Sequence, residues 1–76
     1  MVRAYVMVKA HTSEADRLLR EVEAIDGVVD AAVVAGDVDL IATLSVDSPA
    51  DVKAVSADSV QGIDGVEDTR THVAME

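Results

Sequence analysis

Asp37 and Asp39 follow Gly36 in the stretch Val34-Ala35-Gly36-Asp37-Val38-Asp39-Leu40-Ile41, which sets two carboxylates beside a residue with no side chain. The bare backbone of Gly36 lets a ligand approach closely. Exposed peptide N–H groups there can hold a ligand carboxylate, and an aspartate can hold its ammonium. The same residues also make a simple hairpin turn, for which Gly-Asp requires no ligand.

Other candidate chemistry is weaker. Cysteine is absent, which removes disulfides, thiolate metal sites and the Cys-x-x-Cys pair of a metallochaperone together. His11 is expected at the end of the first strand and His72 inside the last. In an antiparallel pair they fall towards opposite ends, as ordinary surface histidines. Val60-Gln61-Gly62-Ile63 imitates a loop of acylphosphatase. Here it falls at the end of the second helix with Asp64 close behind, not before a phosphate-binding Arg, and reads as coincidence. Tyr5 is the single aromatic residue, too few for a base-stacking platform of the RNA-recognition type. No nucleophile has an evident base partner. Glu21, Glu23, Asp30, Asp47, Asp51, Asp58, Glu67 and Asp68 read as solvated surface. The expectation is a protein that is not an enzyme, with no cofactor and no metal.

The elements that position the Gly-Asp hairpin show in the periodicity. Val2 to Lys9 alternates, with Val2, Ala4, Val6 and Val8 on one face and Arg3, Tyr5, Met7 and Lys9 on the other, as in a strand. Thr12-Ser13-Glu14-Ala15-Asp16 resembles a helix start, where either hydroxyl can cap. Ala15, Leu18, Leu19, Val22 and Ile25 then recur at helical spacing. Val28 to Ala35 and Val38 to Val46 read as two strands joined by the Gly36-Asp37 turn, an antiparallel hairpin. Ser48-Pro49-Ala50-Asp51 opens a second helix, with a hydroxyl cap and Pro at the first helical position. Its stripe is Val52, Val55, Ser59 and Ile63, with Gly65 as the stop, and Val66 to Met75 forms the last strand.

The phrase Ile-Asp-Gly-Val occurs at 25–28 and again at 63–66, an offset of 38 in a chain of 76. The same offset pairs Ala4 with Ala42, Val8 with Val46, Val22 with Val60 and Asp30 with Asp68. Each copy reads as the junction where a helix ends on a buried Ile, turns through Asp-Gly and enters a strand. The layout is βαβ twice over. Right-handed crossovers then favour an α+β, ferredoxin-like βαββαβ sandwich, with two helices on one face of a four-stranded antiparallel sheet. The whole chain, 1–76, reads as one domain.

Half of the residues are hydrophobic, nearly all small aliphatics, so a monomeric core is thin. Tyr5, Met7, Ile41 and Thr43, joined by Ala31, Val33 and Ala35 if Val34 faces the helices, would leave an apolar patch on the uncovered side of the sheet. Such a patch marks a contact surface. A two-fold dimer with facing sheets, a barrel-like α/β assembly, would bury it. The formal charge is −9, from 15 acidic against 6 basic residues, which disfavours direct nucleic-acid or anionic-membrane binding. Ten aspartates against two lysines point to a salt-loving source, where dense salt screens self-repulsion. No apolar run approaches the roughly 20 residues that span a membrane. The alternating N-terminus has no small-residue cleavage site, so the expected location is cytoplasmic.

Taken together, YVMVKA, EVEAIDGVVDAAVVAGDVDLIATLSVD and VQGIDGVEDTRTHV resemble the effector-binding domain of the Lrp/AsnC family, also called the regulation of amino-acid metabolism (RAM) domain. The resemblance covers essentially the whole chain. Its most specific parts are the two Ile-Asp-Gly-Val junctions and the Gly-x-x-Asp-Leu hairpin. It implies a dimer assembled into an octamer or decamer ring, and an amino acid or similar effector bound between dimers near the hairpin. The ligand-binding residues it implies are Gly36, Asp37, Asp39, Thr69 and Thr71. One departure is Val38, where many members carry a polar residue. Full-length members carry an N-terminal helix-turn-helix, so this chain resembles a stand-alone regulator of transcription without its own DNA reader. Two rival readings are a ligand-independent assembly partner of full-length Lrp/AsnC paralogues and an ACT-type amino-acid-sensing module.

Overall fold

A computed structural model describes residues 1–11 and 13–75. Alternation in β1 (Val2–Ala10) buries Ala4, Val6 and Val8 completely and leaves Arg3, Tyr5, Met7 and Lys9 on the other face. Then follow α1 (Ala15–Glu23), β2 (Val28–Val33), β3 (Leu40–Val46), α2 (Pro49–Lys53) and β4 (Val66–Val73). All strand pairings are antiparallel, in the order β2-β3-β1-β4. This is the expected ferredoxin-like arrangement, with strands ending two residues short of expectation at Ala35, Val38 and Met75. The core lies between sheet and helices, where Val22 of α1 and Val52 of α2 join Ala4, Val6, Leu40 and Leu44; Leu18 of α1 is buried as well. No helix among the described residues is long and apolar enough to cross a membrane.

The two helices start differently. Ser48 caps α2 as expected, its hydroxyl accepting the Asp51 N–H at 3.3 Å, with Pro49 next in line. Ser13, one of the two hydroxyls expected to cap α1, does not occupy the cap position. Thr12 lies outside the described residues, and the cap position falls to Glu14, whose side chain makes no capping bond. Arg17 instead organises that end: it pairs with Glu14 and Glu21 and donates to the Asp64 carbonyl at 3.0 Å, tying α1 to the second Ile-Asp-Gly-Val junction.

The second helix also departs from its expected stripe. Beyond Lys53 the chain continues as a π-helical turn over Ala54–Val60, with the Gln61 N–H donating to the Ser56 carbonyl at 3.3 Å. The wider spacing carries Val60 into the core and turns Ser59 out to solvent. Ser56, buried in its place, donates its hydroxyl to the Val52 carbonyl at 2.9 Å.

Both Ile-Asp-Gly-Val copies form the same turn. The Val28 N–H donates to the Ile25 carbonyl at 3.1 Å and the Val66 N–H to the Ile63 carbonyl at 3.2 Å. Gly27 and Gly65 have φ of 100° and 101°, a region in which a side chain is strained. The helices stop earlier than expected, at Glu23 and Val60, so each Ile packs half-buried within the turn instead of closing the helix. The next residue in each copy is a bulge. Val28 pairs with Leu44 and Asp30 with Thr43, leaving Val29 extra; Val66 pairs with Ala10 and Asp68 with Lys9, leaving Glu67 extra.

A one-residue bulge exchanges the faces of everything beyond it. Ala31 and Val33 therefore lie opposite Ala42 and Leu40 on the helix side, not on the uncovered face where unbroken alternation from Val28 would put them. Asp30 and Ala32 take that face instead.

Candidate functional site

The uncovered face carries a concavity of ≈ 630 Å³ at the end of the sheet where β2 turns into β3. Met7 and Ile41, side by side on the central strands, form its floor. Val34 to Val38 of the hairpin make one wall, while Asp68, Arg70 and His72 of β4, with Lys9, make the other.

Asp39 holds the hairpin wall up from behind. The Val34 N–H donates to its carbonyl at 2.9 Å, its own N–H donates to the Val8 carbonyl at 2.9 Å, and its carboxylate accepts the Ala10 N–H at 2.9 Å. The loop is thus fixed to the end of β1 by a charge-assisted bond. At its tip Gly36 has φ of 145°, and a Cβ there would meet nothing within 4 Å, so backbone conformation alone asks for glycine.

Of the residues expected to bind a ligand, Gly36, Asp37 and Thr69 border the concavity; Asp39 and Thr71 do not. Thr69 lies opposite Val8 and Thr71 opposite Val6, both on the helix side of β4. The Thr69 hydroxyl accepts from Gln61 Nε2 at 2.6 Å, so it is engaged away from the concavity. His72 sits opposite Tyr5, well down the sheet from His11. Among the described residues no group of three His, Asp or Glu side chains is placed to hold a metal ion.

Lys9, Asp68, Arg70 and His72 were not anticipated as a group. The alternation of β1 put Lys9 on the right face, but the facing of β4 depends on the bulge at Glu67. The pairing of Asp30 with Asp68 at the common offset was the available sign of it. These residues give the concavity both signs of charge over an apolar floor. Lys9 and Asp68 are register partners, yet they close no ion pair; among the described residues the ion pairs all belong to Arg17. One Asp68 oxygen instead accepts the Thr69 N–H at 2.9 Å. Such a site can hold a small molecule carrying both an ammonium and a carboxylate.

Comparison with known proteins agrees with this architecture. No curated protein matches the sequence. Among solved structures, TTHA0845 from Thermus thermophilus superposes with a TM-score of 0.94 at 22% identity, covering 100% of this chain and 95% of that one. AsnC from E. coli superposes with a TM-score of 0.89 at 18% identity, over 99% of this chain and 51% of its own. A transcriptional regulator from Neisseria meningitidis, NMB0573, solved as a complex with L-Met, gives 0.85 at 14% identity, over 99% and 50%. At these identities the likeness speaks for the fold. The sequence itself matches the family described as the Lrp/AsnC ligand binding domain over residues 3–76, so the chain belongs to the Lrp/AsnC ligand-binding domains, a regulatory rather than an enzymatic family.

Proposed function

We propose that this domain senses an amino acid or similar small effector in the concavity beside the 34–39 hairpin, and that it does so as a self-assembled regulator of transcription in the cytoplasm. The observation that carries this reading is the concavity itself. It joins an apolar floor of Met7 and Ile41 to Asp37 on one side and to Lys9 and Arg70 on the other. The ammonium of an amino acid suits Asp37, its carboxylate suits the cations or the peptide groups around Gly36, and its side chain suits the floor. The L-Met bound by the Neisseria meningitidis regulator supports an amino acid as the class of effector.

The same face supports self-assembly. Tyr5, Met7, Ile41 and Thr43 are half-buried on the side of the sheet opposite the helices. A second copy laid sheet to sheet over the Tyr5 and Thr43 end would remove that part from water, and further dimers meeting near the hairpins would enclose the effector over Met7 and Ile41. Ligand that bridges dimers favours the assembled state by mass action. Calorimetric titration of the twenty amino acids in molar salt tests the binding half. Heat from at least one, lost in Asp37→Ala, is the expected result; twenty flat titrations would remove it.

The inward use of Asp39 favours a second reading, in which the hairpin is purely structural and the domain co-assembles with full-length Lrp/AsnC paralogues without any ligand. Co-purification with such a paralogue, unchanged by Asp37→Ala and by added amino acids, would favour that reading.

A further inference from the structure

The distribution of charge narrows the effector. The chain has 6 basic residues against 15 acidic ones, yet two of the six, Lys9 and Arg70, line this one concavity with His72 beside them. Only Asp37 and Asp68 oppose them there, and one oxygen of Asp68 is already occupied by the Thr69 N–H. Arg70 lies across from Met7 and Lys9 is the next residue on that face, so the two cations are diagonal neighbours on adjacent strands. Diagonal positions of this kind are about 7–8 Å apart at the backbone. Two flexible cationic side chains from that spacing can converge on two carboxylates of one small molecule.

Resting on the reading of this concavity as an amino-acid site, we propose that its preferred effector is an acidic amino acid, aspartate or glutamate in chemical class. Such a ligand offers one ammonium to Asp37 and two carboxylates to Lys9 and Arg70, while Asp68 keeps its bond to the Thr69 N–H. A neutral amino acid brings a single carboxylate to these two cations, and the other cation then has only Asp68 to face. In molar salt the screening length is about 3 Å, so the repulsive field of the remaining carboxylates does not reach the ligand, and direct contact with Lys9 and Arg70 decides.

The test is calorimetric titration of the full chain in molar salt with L-aspartate, L-glutamate, their two amides, L-leucine and L-methionine, repeated on Arg70→Met and Arg70→Lys. The expected result is that one of the acids binds at least tenfold tighter than its amide. Arg70→Met should bring that ratio near one, and Arg70→Lys should restore part of it, with thermal unfolding unchanged in both variants. An amide, leucine or methionine that binds as tightly as the acids overturns this proposal and leaves the amino-acid site standing. So does a preference for acids that survives Arg70→Met. Absence of heat from all six ligands overturns the proposal too, and from all twenty amino acids it removes the site as well.

Discussion

The two halves of this domain share a six-residue phrase, Ile-Asp-Gly-Val-Val-Asp in the first and Ile-Asp-Gly-Val-Glu-Asp in the second, and use it identically up to its last residue. Each copy turns at a positive-φ glycine, bulges at the fifth position and delivers an aspartate to the uncovered face. Beyond that point they part. Asp68 pairs with Lys9, whose counterpart at the offset of 38 is Asp47; Asp30 pairs instead with Thr43, four residues before Asp47. An unslipped first half would set Asp30 against Asp47, a like-charge pair that destabilises a sheet.

The slip has a structural product. In the register of the second half, Asp37 would stand opposite Leu40 and the β2–β3 connection would shrink to Val38 and Asp39. In the observed register Val33 stands opposite Leu40, and residues 34–39 become the loop that walls the concavity. A repeat gives the domain its frame, and a departure from the repeat opens the concavity.

Removing the bulges strikes hardest at what the halves share. Deletion of Val29 or of Glu67 would swing Asp30 or Asp68 beneath the helices, at a cost of about 3 kcal/mol or more for an unpartnered buried carboxylate. Denaturant unfolding in molar salt should show comparable losses for both. A deletion of Val29 that leaves stability intact would mean the bulge does not set the facing of β2.

Next in size is the contrast between two glycines. A Cβ on Gly27 would lie 3.0 Å from Val46 Cγ1 at a φ of 100°, so Gly27→Ala should cost about 2 kcal/mol from strain and crowding together. Gly36→Ala has the strain without the crowding and should cost about 1 kcal/mol. Midpoints of denaturant unfolding that rank the other way would overturn the distinction between a packed junction and an open loop.

The smallest effect separates the helix starts. Ser48→Ala should lose about 1 kcal/mol with its cap. Ser13→Ala, which removes no capping bond, should stay within about 0.5 kcal/mol of the parent. Equal losses at the two positions would show that α1 does depend on a hydroxyl cap.

Much of the frame was legible in the sequence because each cue was local. The period-two run of β1, the Ser-Pro start of α2 and the Asp-Gly turns depend only on nearby residues. What was not legible depends on partners far along the chain. The facing of Ala31 and Val33 turns on a bulge that exists only against Leu44 and Thr43. The burial of Val60 in place of Ser59 turns on a π-helical turn that packing, not propensity, selects. The site was half visible: Gly36 and Asp37 stand out by type, whereas Lys9 and Arg70 become neighbours only through the β1–β4 register. Asp39, whose type suggests a ligand contact, spends its carboxylate on the Ala10 N–H, a bond that spacing within one strand could not reveal.

The proposal that a second copy covers the half-buried sheet face is tested most directly by the mass of the particle in solution. Light scattering at micromolar concentration in molar salt should give at least 2 × 8.0 = 16.0 kDa, rising when a bound amino acid is added. A folded particle that stays at 8.0 kDa with and without amino acids would contradict it.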